Sequence, residues 1–203
     1  SLAGVVPRVG SWKLAALIEP VGEAELARLL GSCDRATIAG RRDYAMLLVL
    51  SRLGLRAGEV ARLGLDDIDW RAGELIVRGK GPKDARLPLP ADVGGAIAEY
   101  LRHGRPARAL GRTVFVRVQA PLRELTSGGV TQAVFAAGQR GGVGRVYAHR
   151  LRHTAATRML AAGGSLFEIG EVLRHQRPGT TAIYAKVDLV RLATIVRPWP
   201  VTP

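Results

Sequence analysis

Six polar side chains scattered along this chain could together break a phosphodiester bond: Arg56, Lys80, His149, Arg152, His175 and Tyr184. Cutting such a bond through a covalent intermediate requires an oxygen nucleophile, charge stabilisation for the phosphorane and an acid for the departing alkoxide. Tyr184 is a candidate nucleophile, because a phenol of pKa about 10 loses its proton far more readily than an alcohol. Two guanidiniums, Arg56 and Arg152, can grip non-bridging oxygens as planar, permanently charged forks. Lys80 can give up a proton, which an arginine in practice cannot. His149 and His175 can donate hydrogen bonds or shuttle protons near neutrality. With arginines carrying the charge, no metal and no other cofactor is expected.

Each residue alone has an ordinary explanation. Tyr184 would be a packing tyrosine, His175 a surface histidine and Arg56 an exposed arginine at a helix end. Their settings change that: GLRAGE around Arg56, GKGPK around Lys80, HRLRHT holding His149 and Arg152, LRH ending at His175, and TTAIYAKV around Tyr184. The charge balance points the same way. Thirty Lys and Arg against 17 Asp and Glu give a net +13. Such an excess favours a polyanionic partner, bound in a salt-dependent way through counterion release. Lysine is rare: Lys13, Lys80, Lys83 and Lys186 are the only four. Two of them share one short glycine-bearing segment. An arginine-rich codon bias would produce the same arginine excess, so scarcity is a hint and no more.

The elements that must position these residues follow from periodicity and punctuation. Residues 1–19 carry Gly, Pro and scattered apolar residues and read as a linker. Glu23 to Leu30 has helical spacing. Asp43 is a candidate cap for a second helix through Met46, Leu47, Leu48 and Leu50, ended by Gly54. A short helix from Ala57 to Leu63 places Arg56 at a helix–helix corner. Glu74–Arg78 and Arg86–Leu89 read as a hairpin with Lys80 and Lys83 at its tip. Lys83 is more simply a solvated turn charge. Ala91–Arg102 is helical, Val114–Val116 a short strand, and 103–113 a surface loop. Ser127 or Thr131 begins a helix ending near Gly141. In the helix His149–Leu160, His149 and Arg152 are three apart and share a face, whereas His153 points elsewhere and reads as a buried, satisfied histidine. Leu166–Leu173 is the next helix, with Arg174 and His175 at its end. Thr180 and Thr181 can cap the helix that holds Tyr184. An amphipathic stretch, Val187–Val196, precedes a proline-bearing end. Asp66, Asp67 and Asp69 suggest a metal, but LDDIDW reads better as the turn leading into the hairpin.

A chain of 203 residues buries a good core as one domain or at most two small ones. Cys33 is the only cysteine, which leaves no internal disulfide and no zinc cluster and fits a reducing, cytoplasmic setting. The longest apolar run, Tyr44 to Leu55, is too short to span a bilayer and reads as a buried helix. The N-terminus lacks a signal-peptide pattern.

The six residues, in this order and in these settings, resemble the active site of the tyrosine recombinase (phage integrase) family over about the last three quarters of the chain. The resemblance implies an α+β, mainly helical catalytic fold with a small antiparallel sheet, spanning 20–203 with a C-terminal tail. It implies site-specific DNA strand exchange through a 3′-phosphotyrosine, without ATP. Arg56 and Arg152 would bind the scissile phosphate, and Lys80 would protonate the leaving 5′-oxygen. His149 would assist proton transfer at the tyrosine, and His175 would bond a phosphate oxygen. Glu59 would buttress Arg56, and Lys83, Arg86, Arg150 and Arg174 are candidate DNA contacts. The implied partner is double-stranded DNA, with a homotetramer on DNA, a monomer for the isolated chain and no membrane; in the cell it would act on the nucleoid. Three departures stand out. Arg174 replaces a common glycine, Lys186 a frequent histidine, and the N-terminal DNA-clamping domain usual in such proteins is absent from this sequence. Two rivals stay open: a type IB topoisomerase-like enzyme and a DNA-binding module without catalysis.

Overall fold

A computed structural model describes residues 19–78 and 84–174. Lys80, Lys83, His175 and Tyr184 lie outside the described residues, as do Thr180 and Thr181, most of the 1–19 segment and the 187–203 tail. Among the described residues seven helices run α1 Glu23–Gly31, α2 Ile38–Leu53, α3 Ala57–Arg62, α4 Ala91–His103, α5 Ser127–Arg140, α6 Ala148–Ala161 and α7 Leu166–Val172. Three short strands, β1 Ile68–Asp69, β2 Glu74–Val77 and β3 Ala85–Pro88, form one antiparallel sheet in sequence order. The class is the one the sequence implies, mainly helical with a small antiparallel sheet.

The core is built around α2. Every residue from Ala45 to Ser51 is buried, so this helix is apolar nearly all round, as a central helix must be. It packs against α4, α5 and α6. Its start corrects the sequence reading. The cap is Thr37, whose hydroxyl accepts the Gly40 N–H at 3.0 Å. Asp43 lies inside the helix, buried, accepting a hydrogen bond from Arg42 at 2.7 Å and ion-paired with Arg140 at 3.7 Å. A buried ion pair between Arg42 and Asp43 satisfies these charges within the helix.

The sheet follows period-two burial. Leu75 and Val77 of β2 and Leu87 of β3 face the core, with Leu75 opposite Leu87. Val114–Val116 forms no strand of a ladder, contrary to the reading above. All three residues are fully buried, but they are held between two separate partners: Val114 N–H bonds Leu63 at 2.7 Å on one side, and Phe115 accepts from Leu125 at 3.3 Å on the other. The LDDIDW segment is a 3-10 turn over Leu65–Asp67 running into β1. Its carboxylates have separate duties. Asp66 pairs with Arg112, Asp67 with Arg78 and the Gly64 N–H, and Asp69 with the N–H groups of Arg71 and Ala72. No helix among the described residues is long and apolar enough to cross a membrane.

Gly54 terminates α2 with φ +63, a left-handed conformation that costs an L-residue about 1–2 kcal/mol. A Cβ there would also sit 2.5 Å from Leu173 Cδ2 and 3.2 Å from Ala155 Cβ. Gly54→Ala should therefore cost roughly 2–4 kcal/mol, combining backbone strain with overpacking. Thermal unfolding followed by circular dichroism should show Tm lowered by about 5–15 °C. A shift below about 2 °C would mean that Leu173 yields freely.

Candidate active site

The tight turn at Gly54 throws the chain from α2 into α3 and leaves Arg56 as the residue preceding the first turn of α3, with extended backbone. Glu59, three residues on, reaches back. Its Oε2 accepts the Arg56 backbone N–H at 2.7 Å, and its Oε1 accepts from Arg56 Nη1 at 2.9 Å. The second guanidinium nitrogen, Nη2, donates to the carbonyl of Arg174 at 3.1 Å. About 45% of the Arg56 side chain stays exposed, so the fork is anchored at its back and open at its front.

Arg152 comes from α6 and is buried. Its Nη1 donates to the carbonyl of Gly54 at 2.5 Å, and its Nη2 to the carbonyl of Leu173. The two arginines thus hang from the same two pieces of backbone: the α2–α3 corner and the end of α7. His149, one turn earlier on α6, lies on the same cleft. The cleft encloses about 370 Å³ and is lined among the described residues by Leu55, Arg56, Ala57, Thr131, Tyr147, Ala148, His149 and Arg152. The expected sharing of a helix face by His149 and Arg152 is what puts both there.

Two polar cleft residues, Thr131 and Tyr147, were not read from the sequence as part of the site. Thr131 comes from α5. Tyr147, which precedes α6 and offers no side-chain cap, stacks on His149 with ring centroids 5.9 Å apart and planes 5° apart. Phe135 also stacks on Tyr147, with ring centroids 6.1 Å apart. An aromatic two residues before a histidine at a helix start is a weak signal, visible only once the cleft is known. His153 sits on another face of α6, half-buried. Burial pushes its imidazole down, and the charges of His149 and Arg152 push the same way, so it stays neutral at neutral pH.

Glu59 is buried among cations. Burial by itself pushes its carboxyl up, but the Arg56 N–H and the charges and hydrogen bonds of Arg174 and Arg56 outweigh it and hold the carboxyl below its ordinary value. Its stabilising contribution is therefore present above the unfolded carboxylate value of about 4.3 and is lost as pH falls through the lower folded value. At neutral pH the network is fully charged.

The candidate DNA contacts divide. Arg86 lies on β3, exposed, and pairs with Glu74 at 3.0 Å. Arg150 turns away from the cleft and donates to the carbonyl of Glu19 at 3.0 Å. Arg174, the fourth candidate, is placed differently from an exposed arginine. Its side chain is 14% exposed and points inward, with Nη2 on Glu59 Oε2 at 2.8 Å and Nη1 on the carbonyl of Val172. A buried carboxylate attracts it more strongly than solvent does. Among the described residues no group of three or more His, Cys, Asp or Glu is placed to hold a metal ion.

The sequence profile described as the phage integrase family matches residues 21–190. A putative integrase/recombinase of Sinorhizobium fredii, y4rA, is 50% identical over 98% of this chain and 49% of its own length. A second from the same organism, y4gC, is 39% identical over 88% of this chain and 94% of its own length. The tyrosine recombinase XerD of Listeria innocua is 32% identical over 85% of this chain and 59% of its own. Among solved structures, the XerA recombinase superposes with TM-score 0.75 at 26% identity, over 89% of this chain and 66% of that one. The chain spans about half the length of y4rA and of its relative y4rF. A helical fold with a small sheet, two guanidiniums and a histidine on one cleft, and a family match over most of the length agree: the chain belongs to the phage integrase family of tyrosine recombinases.

Proposed function

We propose that this chain carries the catalytic unit of a site-specific DNA recombinase that cuts and rejoins strands through a 3′-phosphotyrosine. The observation that carries the reading is the cleft where Arg56, Arg152 and His149 converge, both guanidiniums being anchored from behind by carbonyls or by Glu59. Preorganised cations of this kind stabilise a phosphorane at no cost in reorganisation at the moment of reaction. Tyr184 Oη attacks the phosphorus, its P–O bond forms, and the P–O5′ bond breaks. The leaving 5′-oxygen takes a proton from Lys80, and His149 and His175 manage the remaining protons and phosphate oxygens. In the second step the 5′-hydroxyl of a partner strand attacks the phosphotyrosine and releases Tyr184. Bond energy is conserved in the intermediate, so neither ATP nor a metal enters. A relative in fold, the XerH recombinase, was solved bound to a DNA substrate after cleavage. Arg86 and Lys83 remain candidates for backbone contacts on the hairpin. The setting is the cytoplasm and its nucleoid DNA.

The direct test is covalent capture. The protein is mixed with a library of nicked duplexes randomised over the half-site, and DNA retained on protein through denaturation is sequenced. Enrichment of a discrete half-site supports the reading, and absence of any retained DNA sinks it. Strand exchange itself is proposed for a tetramer on DNA, with the 187–203 segment docking on the next protomer. Without DNA, self-repulsion at +13 opposes association. Light scattering at moderate salt should give a monomer, and a stable tetramer of the isolated chain would contradict this.

A further inference from the structure

The Glu59 carboxylate accepts three hydrogen bonds. Its Oε2 takes two donors, the Arg56 N–H and Arg174 Nη2, whereas its Oε1 takes Arg56 Nη1. The carbonyl of Arg174 meanwhile receives Arg56 Nη2, and the carbonyl just before it, on Leu173, receives Arg152. Arg174 holds this place at φ +55, the one non-glycine residue with positive φ among the described residues. A non-glycine side chain in that conformation costs energy, and here it gains a buried ion pair.

We infer that Arg174 is a positioning residue: by occupying Glu59 Oε2 it leaves Glu59 only a one-point hold on the Arg56 guanidinium, which with the Nη2 bond to the Arg174 carbonyl keeps the guanidinium at the cleft instead of clasped by both Glu59 oxygens. The inference rests on the phosphate-binding reading of the cleft and adds to it what sets the aim of Arg56. Without Arg174, a carboxylate that is 6% exposed would have Arg56 as its only cation. A buried charge demands pairing, and the planar guanidinium suits a two-point grip on both oxygens. Arg56 would swing toward Glu59 and off the phosphate. Arg174 itself would touch no DNA.

The test uses Arg174→Gly, since glycine adopts φ +55 freely, with Arg174→Lys as a variant that keeps the charge. Single-turnover adduct formation is followed on a nicked duplex that the unaltered protein captures. Binding to a generic 30-base-pair duplex is followed across a salt series. Arg174→Gly should slow adduct formation about ten- to a hundredfold at saturating DNA, the size of effect that a small misplacement produces. Its salt slope should stay unchanged. Arg174→Lys should recover part of the rate, because it restores a charge without the fork. In a Glu59→Gln background, Arg174→Gly should add almost nothing, because the charge that captures Arg56 is gone. A salt slope smaller by about 0.9 with an unchanged rate at saturation would make Arg174 a phosphate contact and overturn the inference. So would an unchanged rate in Arg174→Gly, or effects of the two substitutions that simply multiply. If the unaltered protein captures no DNA, the recombinase reading itself fails, and this inference with it.

Discussion

Replacing Tyr184 by Phe is expected to abolish covalent attachment to DNA and leave DNA binding intact. The substitution removes one oxygen and nothing else. Phosphate contacts by arginine supply most of the affinity for DNA, and the net charge stays at +13. On the proposed reading the only loss is the nucleophile, and neither Tyr147 on the cleft wall nor a hydroxyl with the higher pKa of an alcohol should take its place. The adduct should fall below detection on a nicked substrate, while gel-shift affinity stays within about twofold, well under the 1.4 kcal/mol that a tenfold change represents. Chelating divalent cations should leave the unaltered protein's adduct yield the same, which separates this chemistry from a metal nuclease. Persistence of the adduct in Tyr184→Phe would overturn the assignment. Plasmid relaxation without strand exchange would move the reading toward a topoisomerase-like enzyme.

The placement of Arg56, His149 and Arg152 was legible because these residues sit where local sequence is informative. Gly54 announced the end of α2, and the short helix after it fixed Arg56 at a corner. The three-residue spacing of His149 and Arg152 placed both on one face of α6. What failed to show was tertiary. Asp43 looks like a cap in sequence because a carboxylate before an apolar run usually is one, yet its real partner is the adjacent Arg42, buried with it. Val114–Val116 has strand composition, but β propensity reports a fit to buried extended backbone, and these residues found that fit between two unrelated segments. Arg174 looked like a surface charge because arginine usually is. Only the fold reveals that Glu59, 115 residues away, is buried and waiting for a cation. Ion-pair partners distant in sequence leave no periodic trace, so networks of this kind are the part of a site that sequence patterns miss.

Lys80→Ala should slow cleavage by about 10²–10⁴-fold, the range for loss of a general acid, and the loss should be reversible by chemistry rather than by protein. A 5′-alkoxide is a poor leaving group that must be protonated as the P–O bond breaks. Sulfur in the 5′-bridging position departs as a thiolate of far lower basicity and needs no acid. A nicked duplex with that single substitution should therefore react with Lys80→Ala nearly as fast as with the unaltered protein. The same substrate should not rescue loss of Arg152, whose proposed work is on the non-bridging oxygens and whose guanidinium is tied to Gly54 and Leu173. That contrast separates proton donation from charge stabilisation. Lys83→Ala, three residues further along the sequence, should cleave both substrates at close to the unaltered rate, since the sequence reads Lys83 as a solvated turn charge worth at most one backbone contact. Rescue by sulfur in Lys83→Ala, with none in Lys80→Ala, would transfer the acid to Lys83. Rescue in neither would mean that the proton comes from elsewhere, with His149, already on the cleft wall beside Arg152, as the next residue to substitute against the same pair of substrates.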